Sequence, residues 1–396
     1  MPQYLAPGVY VEEIPPASAP IAGVGTSTAA FIGVVANNVE MPLEPGSQTN
    51  RLPLAPVGEP QLITNWEEFK NKFGNDIQTG NKTLALAVYG FLNNGGTRCW
   101  VIRVATATDL TNLAGHLEKL ETIDEIAIVA VPGVTTKAQH EAIIDHCEKM
   151  EDRVAILDGV QNPSALTPEA IRGATAGETP GQPTKNSKYA ALYFPWIKVP
   201  DPTSDEPNAV VSQPPSGHIA GVYARVDGER GVFKAPANEV IRGAVDLDRR
   251  LTSAHQEGLN PKGVNVMRIF NGTIKVWGAR TLGGEDNKEF TYISTRRYFN
   301  FLRESIDEGT QFAVFEPNTP VLWQRITRDV SDFLLGQWRD GGLFGTTPQE
   351  AFFVKCDAET NPPDVRERGQ VVTLIGVAIV KPAEFVIFRI QQMTGS

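Results

Sequence analysis

Both ends of this chain are apolar, strand-forming segments with no evident partner inside it. Gly8-Val9-Tyr10-Val11-Glu12-Glu13-Ile14 stands at the start and runs straight into Pro15 and Pro16. Glu384-Phe385-Val386-Ile387-Phe388-Arg389-Ile390 stands at the finish, just past Lys381-Pro382-Ala383. Chain ends are normally polar and frayed unless something ties them down. A terminal strand leaves backbone donors and acceptors that must pair, and a neighbouring molecule is one source of that pairing. The simplest reading is a subunit that stitches itself to copies of itself. Val9, Tyr10, Val11 and Ile14 would serve on one arm, and Phe385, Val386, Ile387, Phe388 and Ile390 on the other.

Between these ends lies enough chain for two or three domains, since 396 residues exceed what one core usually organises. Lys+Arg 36 against Asp+Glu 46 leaves 36 − 46 = −10, which argues against nucleic acid as a partner of the whole surface. The longest apolar stretch, residues 371–380, falls far short of the roughly 20 residues of a membrane span. No basic-then-apolar leader precedes the first strand, so synthesis and folding in the cytoplasm are expected, with no direct membrane insertion. Cys99, Cys147 and Cys356 are too scattered for a disulfide framework or a zinc site and read as buried, inert thiols.

Along the chain, prolines at 2, 7, 15, 16 and 20 exclude a helix from residues 1–25. Residues 29–35 read as a buried strand and 41–60 as a proline-rich surface loop. A helix over 84–92 is stopped by Asn93-Asn94-Gly95-Gly96, and the strand Cys99–Val104 follows. Strands at 126–131, 154–157 and 189–194, with a helix over Lys137–Met150, suggest a mostly parallel sheet covered by helices. Residues 161–187 and 199–217 read as loops. The last third changes texture. Tyr298, Phe301, Leu302, Ser305 and Ile306 keep a one-sided helical rhythm closed by Gly309, and 312–315 reads as a strand. Thr319 and Pro320 suit an N-cap and first position for a helix running to Arg339, and strands follow at 352–355, 371–380 and 385–390. The expected architecture is therefore α/β plus α+β. An arm (1–25) leads to an α/β domain (26–270), then an α+β domain (271–380) and a closing arm (381–396).

No constellation for catalysis, cofactor or metal emerges. Gly23-Val24-Gly25-Thr26-Ser27-Thr28 lacks the third glycine of a dinucleotide loop and precedes a strand instead of following one. The five histidines form no HxxxH or HxH pair and read as surface or supporting residues, and no serine sits in a GxSxG elbow. One feature stands out. At 100° per residue, Leu322, Trp323, Ile326, Val330, Phe333 and Leu334 share one side of the helix Pro320–Arg339, while Arg325, Arg328, Asp332 and Arg339 share the other. Arg328 and Asp332 are placed to pair at i, i+4. The stripe is either a solvated face or a docking face for an acidic partner.

Six segments in order resemble the contractile tail sheath proteins of phage tails and contractile injection systems. They are Pro7-Gly8-Val9-Tyr10-Val11-Glu12-Glu13 with Phe31-Ile32-Gly33, and Phe91-Leu92-Asn93-Asn94-Gly95-Gly96 leading into Val101-Ile102-Arg103-Val104. Arg230-Gly231-Val232-Phe233-Lys234-Ala235-Pro236-Ala237-Asn238 and Val276-Trp277-Gly278-Ala279-Arg280-Thr281-Leu282 come next, then residues 292–297 and the closing strand 384–390. Residues 40–60, 105–125 and 160–215 carry no such likeness. The resemblance implies a non-enzymatic subunit, without cofactors, stacked as hexameric rings around an inner tube, with both arms exchanged between neighbours. Contraction would drive the tube through a target envelope. Implied partners are further copies, the inner tube protein, and baseplate and tail-terminator or cap proteins. Residues 271–380 would face the tube, with Arg325, Arg328, Asp332 and Arg339 on the tube-facing helix. The competing classes are a non-contractile tube or surface-layer subunit and an enzyme built on the α/β domain.

Overall fold

A computed structural model describes residues 20–173 and 184–387 of the chain. Their contacts divide into two units. The larger holds Gly23–Glu304 and the chain from Ile379 onward; the smaller holds Ser305–Ala378 and the segment ending at Ala22.

The larger unit is organised by one nine-stranded sheet. In chain order its strands are β1 (Ala29–Val34), β2 (Gln61–Ile63), β3 (Cys99–Val104), β4 (Ile128–Ala130), β5 (Val154–Asp158) and β6 (Ala190–Phe194). A side hairpin, β7 (Ile197–Pro200) and β8 (Val210–Gln213), intervenes before β9 (Glu239–Val240). β10 (Asp246–Leu247) joins that hairpin, and β11 (Val264–Phe270) and β12 (Thr273–Val276) complete the large sheet. Its order is β2-β3-β1-β4-β5-β6-β11-β12-β9, parallel from β3 to β11 and antiparallel at both edges.

Alternation along the strands explains why both faces are covered. Ala29, Phe31, Ile128, Ala130, Val154, Ile156 and Tyr193 share one core with residues of α2 (Lys82–Asn94) and α4 (Ser216–Arg230). Their neighbours Ala30, Ile32, Val129, Ala155, Leu157 and Leu192 share a second core with Ile143, Ile144 and Cys147 of α3 (Lys137–Met150). α1 (Trp66–Phe73) adds Phe69 and Phe73 to the first. A strand buried on both sides reads as a continuous apolar run, which is why these strands stand out in the sequence. α4 does not: its burial extends over eleven consecutive residues, so no amphipathic rhythm marks it. It approaches α2 closely because Gly217 and Gly221 lack side chains; a Cβ at Gly221 would lie 2.4 Å from the Phe91 carbonyl oxygen.

The smaller unit centres on α6 (Pro320–Arg339), with the end of α5 (Ile293–Thr310) and a two-stranded sheet, β13 (Phe352–Lys355) and β14 (Leu374–Val377). Leu322, Trp323, Ile326, Val330, Phe333 and Leu334 are all buried, as the helical spacing requires. Thr319 has the extended N-cap backbone but makes no side-chain cap bond.

Four expectations are corrected. The border expected near 270 falls between Glu304 and Ser305, because β11 pairs with β6 and the start of α5 is tied to the larger unit through Arg297. Residues 312–315 form no strand; Gln311–Ala313 is a 3-10 turn and Phe315 takes a left-handed φ of +66°. The strand expected over 371–380 is confined to Leu374–Val377, matching the four residues of its partner. His140, His146 and His218 are buried rather than superficial.

Candidate functional site

In an α/β sheet, ligands bind outside the carboxyl ends of the strands, where a helix N-terminus faces them. Here that position is filled from within. Asp158 ends β5, and its carboxylate accepts hydrogen bonds from the Ser216 backbone N–H at 2.8 Å, the Ser216 hydroxyl at 2.8 Å and the Gly133 N–H at 3.0 Å. The side chain occupies the α4 N-terminus as an anion would, and burial pushes its pKa up to about 6. Among the described residues no cluster of His, Cys, Asp or Glu could hold a metal, and no helix is long and apolar enough to cross a membrane.

Unsatisfied surface lies instead in the smaller unit. β13 and β14 pair antiparallel from Phe352↔Val377 to Lys355↔Leu374. The ladder ends with Ala378 N–H donating to Ala351 O at 2.8 Å and Phe344 N–H to Ala378 O at 2.7 Å. Among the described residues, the outer edges of Phe352–Lys355 and Leu374–Val377 have no further strand beside them. Phe353 is 57% exposed and Leu374 52%, so apolar side chains accompany the open backbone. A two-stranded sheet is marginal by itself, and an open apolar edge is a template for another strand. Residues 352–354 are apolar and alternate between the two faces of the strand.

The arginine stripe on α6 is only partly as expected. Arg328 does not pair with Asp332; its Nε donates to Asp329 Oδ1 at 3.1 Å. Asp329 is buried, and its second oxygen lies 3.8 Å from Arg325 Nε. Arg325 leans inward, its guanidinium 3.9 Å from the centre of the Phe312 ring. Counting Asp329, the stripe carries three arginines against two aspartates, 3 − 2 = +1. Arg328, Asp332 and Arg339 remain exposed. A groove of about 380 Å³ runs between α6 and β13, lined by Gln324, Thr327, Arg328 and Ser331 on one side and Lys355 and Asp357 on the other.

Val9, Tyr10, Val11 and Ile14 lie outside the described residues, as do Phe388 and Ile390. Phe385, Val386 and Ile387 are 71%, 70% and 79% exposed and, among the described residues, belong to no strand. Directly before them, Glu384 is held by three side chains of the larger unit through four donor atoms. Arg280 grips its carboxylate through Nη2 at 2.7 Å and Nε at 3.0 Å, the Tyr292 hydroxyl donates at 2.8 Å, and Asn260 Nδ2 at 2.7 Å. Burial raises the Glu384 pKa, but the bonds from Arg280, Asn260 and Tyr292 outweigh it and hold the group below its usual range. Arg280 is itself set by Asn265, which accepts its backbone N–H at 2.7 Å and donates to its carbonyl at 2.8 Å. Glu384 and Arg280 belong to two separate sequence segments noted above, and nothing in either reveals that they meet.

Residues 104–282 match the phage tail sheath protein central domain, and residues 285–393 match the phage tail sheath C-terminal domain. The contracted helical sheath of the anti-feeding prophage is similar at 30% identity and a TM-score of 0.75, covering 98% of this chain and 99% of that one. A chain in the 6-fold symmetrised baseplate of the same particle gives 30% and 0.74, covering 99% and 100%. The tail sheath protein of Vibrio phage KVP40 is 30% identical over 183 residues, 44% of this chain. The matched region spans 25% of that curated relative's own length. The chain belongs to the phage tail sheath family, whose members are structural proteins and not enzymes.

Proposed function

We propose that this chain is the subunit of a contractile sheath, stacked as six-membered rings around an inner tube. Both termini act as arms that add strands to the sheets of neighbouring copies. The observation that carries this reading is the conjunction of an open, apolar two-stranded sheet, β13–β14, with an exposed apolar segment at 385–387. Each supplies what the other lacks, and a second copy can supply it. The 6-fold symmetry and contracted state of the similar particles support the ring and the contraction. α6, with Arg325, Arg328, Asp332 and Arg339, is the face assigned to the inner tube. Baseplate and cap proteins are the partners at the two ends. Assembly in the bacterial cytoplasm precedes release as part of a phage tail or tail-like particle.

Each backbone hydrogen bond gained by an arm contributes about 0.5–1.5 kcal/mol net, while ordering each arm residue costs about 1–2 kcal/mol. One arm therefore binds weakly, and a lattice of repeated arms binds strongly through multivalency. Contraction can then move stiff bodies while paired strands stay paired. The test is deletion of residues 1–20. A folded, soluble subunit that forms no tubes is the expected result, seen by negative-stain microscopy; tubes of normal length would refute the arm reading.

A further inference from the structure

We propose that Glu384 is the anchor of the C-terminal arm. Its clamp by Arg280, Tyr292 and Asn260 fixes where Phe385–Ile387 start, and this fixed origin is required for the arm to engage a second copy of this chain efficiently. The proposal deepens the strand-exchange reading given above and rests on it.

Three observations converge. First, the carboxylate site is built: Arg280 is 3% exposed, and four donor atoms at 2.7–3.0 Å converge on one side chain. A charge-assisted, bidentate arginine contact fixes direction as well as position. Second, the change in environment is abrupt. Glu384 is gripped, and the next three residues are all more than two-thirds exposed although all three are apolar. Along an extended chain Phe385 and Ile387 point one way and Val386 the other, so a partner must cover both faces, as a strand inserted between a sheet and a packed layer is covered. Third, Glu384 itself contributes nothing to the apolar cores of its unit. The clamp thus orders the root of a segment whose apolar residues stand open. An arm tethered at a fixed point searches a small volume, which raises its effective concentration at a neighbour and lowers the ordering cost on pairing.

The test uses the full chain and compares four proteins by thermal unfolding and by the concentration at which tubes form. Glu384→Ala leaves Arg280 paired only with Glu285, so it should unfold at a lower temperature than the parent while remaining folded, and should need about tenfold more protein to assemble. Glu384→Gln, which keeps an acceptor for Tyr292 and Asn260, should fall between the two. Insertion of two glycines between Glu384 and Phe385 leaves the clamp whole but shifts the origin, and should raise the threshold similarly; it serves even if Glu384→Ala folds poorly. Phe385→Asp with Ile387→Asp should abolish assembly. Parental thresholds for both Glu384→Ala and the glycine insertion, with the double aspartate variant still blocked, overturn the anchor and leave strand exchange standing. A double aspartate variant that assembles normally overturns strand exchange itself.

Discussion

The two sheets of this molecule are opposites. In the larger unit, nine strands are covered on both faces, both edges end in short antiparallel strands, and even the ligand-binding corner is filled by Asp158. In the smaller unit, two four-residue strands expose Phe353, Leu374 and Ile375, and among the described residues both outer edges are open. The first sheet is complete within one chain; among the described residues the second is not. The proposed strand exchange needs both kinds, a rigid body and an open surface for neighbours to cover.

Acid should separate the units most strongly. All five histidines lie within residues 23–304, and burial lowers His140, His146 and His218 to about 4. An unfolded chain binds those protons below about pH 6.5, so this stability is present above that pH and is lost as pH falls toward 4. Asp158 opposes the trend: its folded pKa is raised, so its contribution is present at low pH and lost as pH rises toward 6. Three groups outweigh one, giving a net loss on the order of 5 kcal/mol between pH 6.5 and 4. Denaturant unfolding across that range measures it, and His146→Leu should shallow the slope, since neither imidazole nitrogen has a hydrogen-bond partner among the described residues. A flat profile would contradict the assignment of neutral buried imidazoles.

Asp227→Ala comes next. Arg297 donates to Asp227 at 2.9 and 2.5 Å and to the Thr26 carbonyl at 2.9 Å, with both side chains nearly inaccessible. Removing one partner strands a buried cation, at about 3–5 kcal/mol; a loss below about 1 kcal/mol would show that the pair is wetter than its burial implies. Phe353→Asp should reverse the pattern. It should change stability by within about 0.5 kcal/mol, as exposed substitutions do, while preventing tube formation, and normal tubes would remove β13 from the assembly surface. Smallest is Arg339→Glu, with no effect on folding and a weaker, salt-sensitive grip on the inner tube. Equal tube binding at low and high salt would return the stripe to a solvated role.

Where burial had a period, the sequence revealed the structure. The helices Lys137–Met150 and Pro320–Arg339 and the strand Cys99–Val104 occur at the expected bounds, because one-sided or continuous burial leaves a rhythm in the residues themselves. α4 escaped because it is buried nearly all round and contains three glycines, so neither period nor propensity marks it. The four apolar residues at 312–315 suggested a strand, but short apolar runs are ambiguous and no partner lies beside them. On α6 the spacing placed Arg328 and Arg339 on the exposed side but not Arg325, which leans onto Phe312, and it mispaired Arg328, since Asp329 at i+1 turns inward and takes the bond.

Family and apolar faces were thus carried in the linear order of residues, because periodicity and motif order are local properties. The grip of Arg280, Tyr292 and Asn260 on Glu384, separated by 92 to 124 positions, came from folding alone. So did the Asp158 plug and the open edges of β13 and β14. Long-range hydrogen bonds and unpaired edges depend on which distant segments the chain brings side by side, and side-chain chemistry does not encode that choice position by position.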